Sequence, residues 1–280
     1  MNKNRVTVYI TTHNRKTQLR RAILSVLNQS HPDIEIIVVD DGSTDGTEQS
    51  INDLINDNKI IYLKNETSKG ACFARNLAID KASGYYITGL DDDDEFLSNR
   101  VNEFISEWHD DYSFICANFY EIFSDGRKKK HYPRKKSFDA SVNDILYDNI
   151  CSNQVFTRTD YLRSIGGFDV RAKRFQDWDT WLRLANAKGK FHCSNKATYI
   201  MYHDHVDVNN RVSKKYPLNL ALKDLKERNS NLYEGDKSKY IDFMVNLIEN
   251  KASFFDVAYW SILRKQPNLI LSFFKNKIVG

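Results

Sequence analysis

Four short β-branched runs in the first hundred residues, Val6–Ile10, Ile34–Val39, Lys59–Leu63 and Tyr85–Thr88, alternate with helix-like segments at Lys16–Asn28, Thr47–Asn56 and Gly70–Ala82. No other feature constrains the chain as much. Strands spaced by helices pair in parallel, each helix crossing over a face of the sheet, and the strands' carboxyl ends emerge along one edge. Open α/β sheets bind their ligands at that edge. The runs at Val6, Ile34, Lys59 and Tyr85 are each followed by a polar cluster: Thr11-Thr12-His13-Asn14-Arg15, Asp40-Asp41-Gly42-Ser43-Thr44-Asp45-Gly46-Thr47, Asn65 through Asn76, and Asp91-Asp92-Asp93-Asp94-Glu95.

Beyond Asp94 the pattern predicts a helix at Asn99–Trp108, a strand at Ser113–Ile122, a turn at Asp125-Gly126, a strand at Asn153–Thr157, a helix at Trp178–Lys188 and a strand at Lys190–Tyr199. Together these predict one mixed α/β sheet flanked by helices over residues 1–213. A helical extension follows over 214–280, with Phe243, Leu247, Phe254, Phe255 and Trp260 supplying its apolar faces. In the first helix, Leu19, Ile23, Leu24 and Leu27 are expected on the buried side. At 280 residues, 41% hydrophobic and 28% charged, the chain has the composition of a folded protein, not a disordered one. It lacks about 18 consecutive apolar residues, and its start turns polar before a signal-peptide core forms, so a cytoplasmic location is expected. The net charge of +4 is too small to imply a nucleic-acid partner, and none is expected. Cys72, Cys116, Cys151 and Cys193 lack metal-ligand spacing and read as buried, reduced thiols.

The acid cluster Asp91–Glu95 carries the strongest chemical signal, because it directly follows an apolar strand. Negative charge held that closely near a core is costly unless a cation neutralises it, and carboxylate oxygens suit Mg²⁺ or Mn²⁺ shared with phosphate. The spacing Asp41-x-Ser43-x-Asp45-Gly46 imitates half of a calcium loop, but its twelfth position is Asn52 where a bidentate Glu is required. Asp40, an acceptor only, suits a nucleobase N–H, although the same turn also reads as plain helix-start chemistry. Arg75 follows a glycine that opens a helix, where a guanidinium can fork onto phosphate oxygens or simply face solvent. Asp177 reads as the cap of a helix whose Trp178, Trp181, Leu182 and Leu184 face the core, or as a general base for a hydroxyl.

In this order, THNR, VVDDGSTDGT, ARN after a Gly loop, a DxDD cluster, GGFD and QDWDTWLRL resemble the family 2 inverting glycosyltransferases with the GT-A nucleotide-diphospho-sugar fold. The resemblance covers residues 5–205 and implies a nucleotide-sugar-binding half at 1–97 and an acceptor half at 98–213. It implies that Thr11, His13, Arg15, Asp40, Arg75, Asp91 and Asp92 bind a UDP-sugar, with Asp40 on the uracil. Asp93 would hold Mn²⁺ or Mg²⁺, His203 would join the metal or diphosphate after loop closure, and Asp177 would be the catalytic base. Thr11, His13 and Gln176 depart from the Pro, Tyr and Glu that are commoner at those positions. The quadruple Asp is most similar to bacterial O-antigen glucosyl- and galactosyltransferases, which implies a hexose passed to a GlcNAc-diphosphate-lipid acceptor such as one on diphosphoundecaprenol. Capsule or lipooligosaccharide-core synthesis with another UDP-sugar is the alternative within the family. A nucleotidyltransferase would share the fold, but the Gly-rich, Arg-containing phosphate loop it needs after the first strand is absent.

Two basic features complete the reading. The run Arg127, Lys128, Lys129, Lys130, Arg134, Lys135 and Lys136 contains no acid and would be a solvated hairpin, or would meet a lipid-linked pyrophosphate or anionic headgroups. The segment Leu263 through Lys277 mixes apolar and basic residues and would either pack as a terminal helix or lie at the cytoplasmic face of the inner membrane.

Overall fold

The computed structural model describes residues 3–151, 154–203 and 216–279, with side chains as far as Phe274. Asn153, Asp204, His205 and the expected boundary at 213/214 lie outside the described residues. The strands are β1 Val6–Thr12, β2 Ile34–Asp40, β3 Ile61–Lys64, β4 Tyr86–Asp91, β5 Glu95–Phe96, β6 Ile115–Phe123, β7 Lys128–Lys130, β8 Phe138–Ala140, β9 Val155–Arg158 and β10 Phe191–His203. They form one sheet in the order β3-β2-β1-β4-β9-β6-β10-β5, with β7 beside β6 and β8 beside β10. β1, β2, β3 and β4 pair in parallel, whereas β9 runs antiparallel to both β4 and β6, so the sheet is mixed as expected.

Helix α1 (Lys16–Leu27) buries Leu19, Ala22, Ile23 and Val26 with Val8, Ile10, Ile36 and Val38 of the sheet. Each such aliphatic side chain contributes about 1.5–3 kcal/mol on burial. Leu24 and Leu27 are exposed, correcting the expected face. A helix repeats every 3.6 residues, and the buried stripe through 19, 22, 23 and 26 leaves 24 and 27 on its flank. The predicted helix over Thr47–Asn56 is two short ones, α2 (Thr47–Ser50) and α3 (Asn52–Asn56), divided where Ile51 leaves helical geometry at φ −126°. The remaining helices of the sheet-bearing unit include α4 (Ala71–Lys81), α5 (Arg100–Glu107), α6 (Val142–Ile145), α7 (Thr159–Ser164) and α8 (Gln176–Lys188).

The chain divides into two compact units, one of residues 1–145, 149–171 and 176–206, the other of residues 146–148, 172–175 and 207–280. Helices Leu218–Arg228, Gly235–Ile248, Phe254–Leu263 and Asn268–Val279 make up most of the second unit. Its core gathers Tyr240, Phe243, Val245, Leu247 and Trp260. Phe254 and Phe255, expected to pack there, are exposed instead. Among the described residues, no helix is long and apolar enough to cross a membrane.

Candidate active site

The register of the parallel strands sets the site. Thr11 lies opposite Asp91 of β4 and Val39 of β2, and Thr12 lies opposite Asp40, so three polar strand ends are level at one edge. Asp40 is fully buried; its Oδ1 accepts the Ser43 N–H at 2.7 Å and its Oδ2 accepts the Tyr62 hydroxyl at 2.6 Å. Asp41, buried beside it, accepts from Asn65 Nδ2 at 2.7 Å, Ser68 Oγ at 2.7 Å, Lys69 N at 2.9 Å and Gly70 N at 2.8 Å. Burial pushes the Asp41 carboxyl up, but these donors outweigh it and hold it below the usual carboxylate range. Asp41 thereby fixes the loop that opens α4. Gly42, at φ +79°, permits the close approach, since a Cβ there would lie 2.9 Å from the Ser68 nitrogen. Exposed His13 donates from Nδ1 to the Asp41 carbonyl at 2.8 Å. Asn14 N–H donates to Ser43 Oγ at 2.8 Å, lacing the loop after β1 to the loop after β2.

The acid cluster turns tightly after β4, the Asp94 N–H donating to the Asp91 carbonyl at 3.1 Å. Arg15 Nη1 donates to Asp92 Oδ1 at 3.0 Å and also pairs with Asp93, while Arg21 donates to the Asp93 carbonyl and lies 3.2 Å from Glu95. Asp94 is the structural member: its carboxylate accepts the Tyr199 hydroxyl at 2.7 Å and the Tyr202 N–H at 2.9 Å. Burial pushes Asp92 up to about 7, with Arg15 pulling down and Asp93 adding to the rise. Asp94 is raised as well, by burial first and then by Asp93 and Asp91. Among the described residues, no three His, Cys, Asp or Glu side chains converge to hold a metal ion unaided. The oxygen-only donor set at Asp91–Asp93 nevertheless fits Mg²⁺ or Mn²⁺, which are commonly bound by one or two carboxylates together with substrate phosphates.

Arg75, on α4, connects this edge to α8. Its Nη1 donates to Gln176 Oε1 at 2.7 Å and lies 3.9 Å from Asp177 Oδ1, while its Nη2 lies 3.7 Å from Asp91 Oδ1. Its guanidinium also sits 5.0 Å over the Phe168 ring. Asp177 is therefore not the expected cap; it lies in the first turn of α8, one residue inside the helix. With its side chain 28% exposed, its carboxyl is pushed up to about 7 by burial, Arg75 drawing it down and Asp91 raising it further. Two fixings hold this pair. Asn76, next to Arg75, exchanges hydrogen bonds with the Phe168 backbone, both at 2.8 Å. Asp179 of α8 accepts from Arg183 Nε at 3.0 Å, and Arg183 donates to the carbonyls of Ile165 and Gly167.

Gln154 completes the group, its Nε2 donating to Asp91 Oδ1 at 2.8 Å and its Oε1 accepting the Tyr9 hydroxyl at 3.2 Å. The site thus joins Thr11, Arg15, Asp40, Arg75, Asp91, Asp92, Asp93 and Asp177. His203 belongs to another group: it donates to Glu121 Oε1 at 3.1 Å, and Glu121 also takes His131 at 3.1 Å. The basic run is a hairpin tip in which Arg127 pairs with Asp125, and Arg134 stacks 3.9 Å over Tyr132 and donates to the Ile150 carbonyl. Lys128, Lys129, Lys135 and Lys136 stay exposed. Trp178 and Trp181 are core residues. Asn76, present in the sequence reading only as the end of the ARN motif, carries a local signal of its own, a polar and poor helix former beside Arg75 inside α4. Tyr9, Gln154 and Tyr199 carry none.

Residues 7–165 match the profile of Glycosyl transferase family 2. The chain belongs to this family. WcaA of Escherichia coli K12, described as a colanic acid biosynthesis glycosyl transferase, is 36% identical over 71% of this chain and 73% of its own length. WfaP of Escherichia coli, a UDP-Glc:alpha-D-GlcNAc-diphosphoundecaprenol beta-1,3-glucosyltransferase, is 38% identical over 43% of this chain; the chain covers 47% of it. The family 2 fold also matches Staphylococcus aureus TarS (residues 1–349, crystallised with UDP-GlcNAc) at a TM-score of 0.67 and 19% identity, covering 96% of this chain and 79% of that one. These matches establish a GT-A-like glycosyltransferase fold and a family 2 glycosyltransferase enzyme.

Proposed function

We propose that this family 2 glycosyltransferase is an inverting, metal-dependent hexosyltransferase. It passes a hexose, glucose or galactose by preference, from a UDP-sugar to a GlcNAc-diphosphate-lipid during assembly of a bacterial surface polysaccharide, at the cytoplasmic face of the inner membrane. The observation that carries the reading is the placement of Asp177, its carboxyl raised to about 7 and 3.9 Å from Arg75, which is itself 3.7 Å from the strand-end Asp91. A base with a pKa near the working pH is ionised often enough to act and basic enough to take a proton.

Each residue then has a task. Asp177 accepts the proton of the acceptor hydroxyl as its oxygen attacks the anomeric carbon. Arg75 keeps Asp177 oriented and offers positive charge on the donor side. Thr11, His13 and Asp40 line the nucleoside end, where Asp40 is already oriented by Ser43 and Tyr62. Arg15 neutralises Asp92 and Asp93 between donor encounters. Asp93, with Asp91 and Asp92 adjacent, would hold Mg²⁺ or Mn²⁺, which supplies charge neutralisation for the departing diphosphate. The exposed lysines Lys128 and Lys129 of the β7 hairpin, with Lys135 and Lys136 beyond it, suit the acceptor's pyrophosphate. The activity described for WfaP, transfer of glucose to a GlcNAc-diphosphoundecaprenol, supports the sugar-transfer and lipid-acceptor parts of this reading.

The test is incubation with Mn²⁺, a panel of UDP-sugars and a synthetic GlcNAc-diphosphate-lipid, followed by determination of the product's anomeric configuration. Inverted product from UDP-glucose or UDP-galactose, abolished by chelator, is expected. Retained configuration, or full activity in chelator, would overturn the mechanism.

A further inference from the structure

One buried amide at the carboxyl edge of the sheet has no task in the transfer chemistry. Gln154 stands just before β9, and its side chain sits over Gly89 of β4. A Cβ on Gly89 would fall 2.0 Å from Gln154 Oε1 and 2.5 Å from Tyr9 Cζ. A glycine inside a strand weakens it and marks a place where another group comes close to the backbone. Tyr9 is the register partner of Gly89 on β1, and β9 runs along the other side of β4. The space that Gly89 leaves therefore receives two polar side chains, one from each side.

The amide is fixed at both ends. The Tyr9 hydroxyl donates to Gln154 Oε1 at 3.2 Å, and Gln154 Nε2 donates to Asp91 Oδ1 at 2.8 Å. A flipped amide would turn its oxygen on a carboxylate oxygen, which only accepts. Burial raises the Tyr9 pKa, with Arg75 opposing, so the hydroxyl keeps the proton it donates. The same Asp91 oxygen lies 3.7 Å from Arg75 Nη2, the Arg75 guanidinium sits 5.0 Å over Phe168, and the Phe168 ring meets Tyr9 edge-on at 6.5 Å. These contacts close a circuit from Tyr9 through Gln154, Asp91, Arg75 and Phe168 back to Tyr9, with Asp91 held from two sides. Without the amide, the pull of the guanidinium on that oxygen loses a counterweight. We propose that Gln154, steadied by Tyr9, is a positioning residue that holds the Asp91 carboxylate in the orientation in which it meets the donor nucleotide. The role rests on Asp91 being a UDP-sugar contact, as proposed above, and the failure of one is distinguishable from the failure of the other.

The test measures UDP binding to the full chain by calorimetry with Mn²⁺ present, UDP being common to every UDP-sugar. Asp91→Ala and Gln154→Leu should each weaken binding about 10-fold, the scale of one hydrogen bond to a charged group. Combined, they should weaken it no more than about twofold beyond the weaker-binding single variant, because both remove the same oriented carboxylate. Tyr9→Phe keeps the ring against Phe168 and deletes only the hydroxyl, so it should weaken binding by a smaller factor, about twofold to fivefold. Circular dichroism melting reports folding, and should Gln154→Leu not fold, Tyr9→Phe combined with Asp91→Ala supplies the same cycle. Unchanged affinity in Gln154→Leu and Tyr9→Phe, or losses that simply multiply in the double variant, would overturn the positioning role and leave Asp91 as a donor contact. Absence of UDP binding by the wild type, or unchanged affinity in Asp91→Ala, would overturn the donor contact and the positioning role with it.

Discussion

Near the carboxyl edge of the sheet Asp41 is buried and Asp177 half-buried, yet their surroundings drive them in opposite directions. Asp41 accepts four hydrogen bonds from the loop that opens α4 and is held below the usual carboxylate range despite its burial. Asp177 has burial without such donors; its nearest cation is Arg75 at 3.9 Å, and it is pushed up to about 7. The lesson concerns commitment. A carboxylate saturated by donors is spent on holding structure, whereas one left under-satisfied retains the proton affinity that chemistry needs.

The sharpest way to break this contrast is to neutralise each acid. Asp177→Asn should cut kcat by about 10²–10⁴, the range for losing a general base, while leaving UDP-sugar affinity intact by calorimetry. The same variant should be the more heat-resistant protein at pH 8. The folded state holds a proton on Asp177 up to about 7, whereas the unfolded chain releases it near the ordinary carboxyl value, so wild-type stability falls as pH rises between those two values. Asn does not titrate and escapes that loss. The gain in melting temperature, about 2–4 °C per kcal/mol, should vanish below pH 4, where Asp177 is protonated in both states.

Asp41→Ala should do the reverse. It strands donors from Asn65, Ser68, Lys69 and Gly70, each worth about 1–3 kcal/mol where water cannot replace the acceptor; Asn65 is buried but water reaches the other three, so chemical denaturation should show a loss of about 3 kcal/mol. A stable Asp41→Ala protein would erase the distinction. Gln176→Glu is the smallest expected effect. The new carboxylate takes a share of Arg75, leaving Asp177 less well compensated. The pH at which transfer reaches half its maximum, on the limb that rises as Asp177 ionises, should move upward by less than about one unit.

The contrast also marks what the sequence makes legible. The strand–helix alternation and the polar clusters at strand ends are local patterns, and the parallel register then places Thr11, Asp40 and Asp91 level without further information. What escapes is the partnership between distant elements. Tyr9 and Gln154 are 145 residues apart, and nothing near either announces the other. The roles of Asp40 and Asp41 could not be separated from adjacent positions on one motif, because the difference lies in donors supplied by Tyr62 and by the Asn65–Gly70 loop. His203 is likewise placed by a distant partner: Glu121, on the neighbouring strand, holds it. The exposed face of helix Phe254–Leu263 is not legible in the sequence, because an apolar residue reads alike whether it faces a core or solvent.

One of these two acids is spent and the other poised, and a carbon-13 titration of the aspartate carboxyls reads both at once. With Asp41→Asn and Asp177→Asn spectra supplying the assignments, an Asp177 resonance titrating near 7 and an Asp41 resonance titrating below the ordinary carboxyl range are expected. Both resonances titrating together near 4 would contradict it.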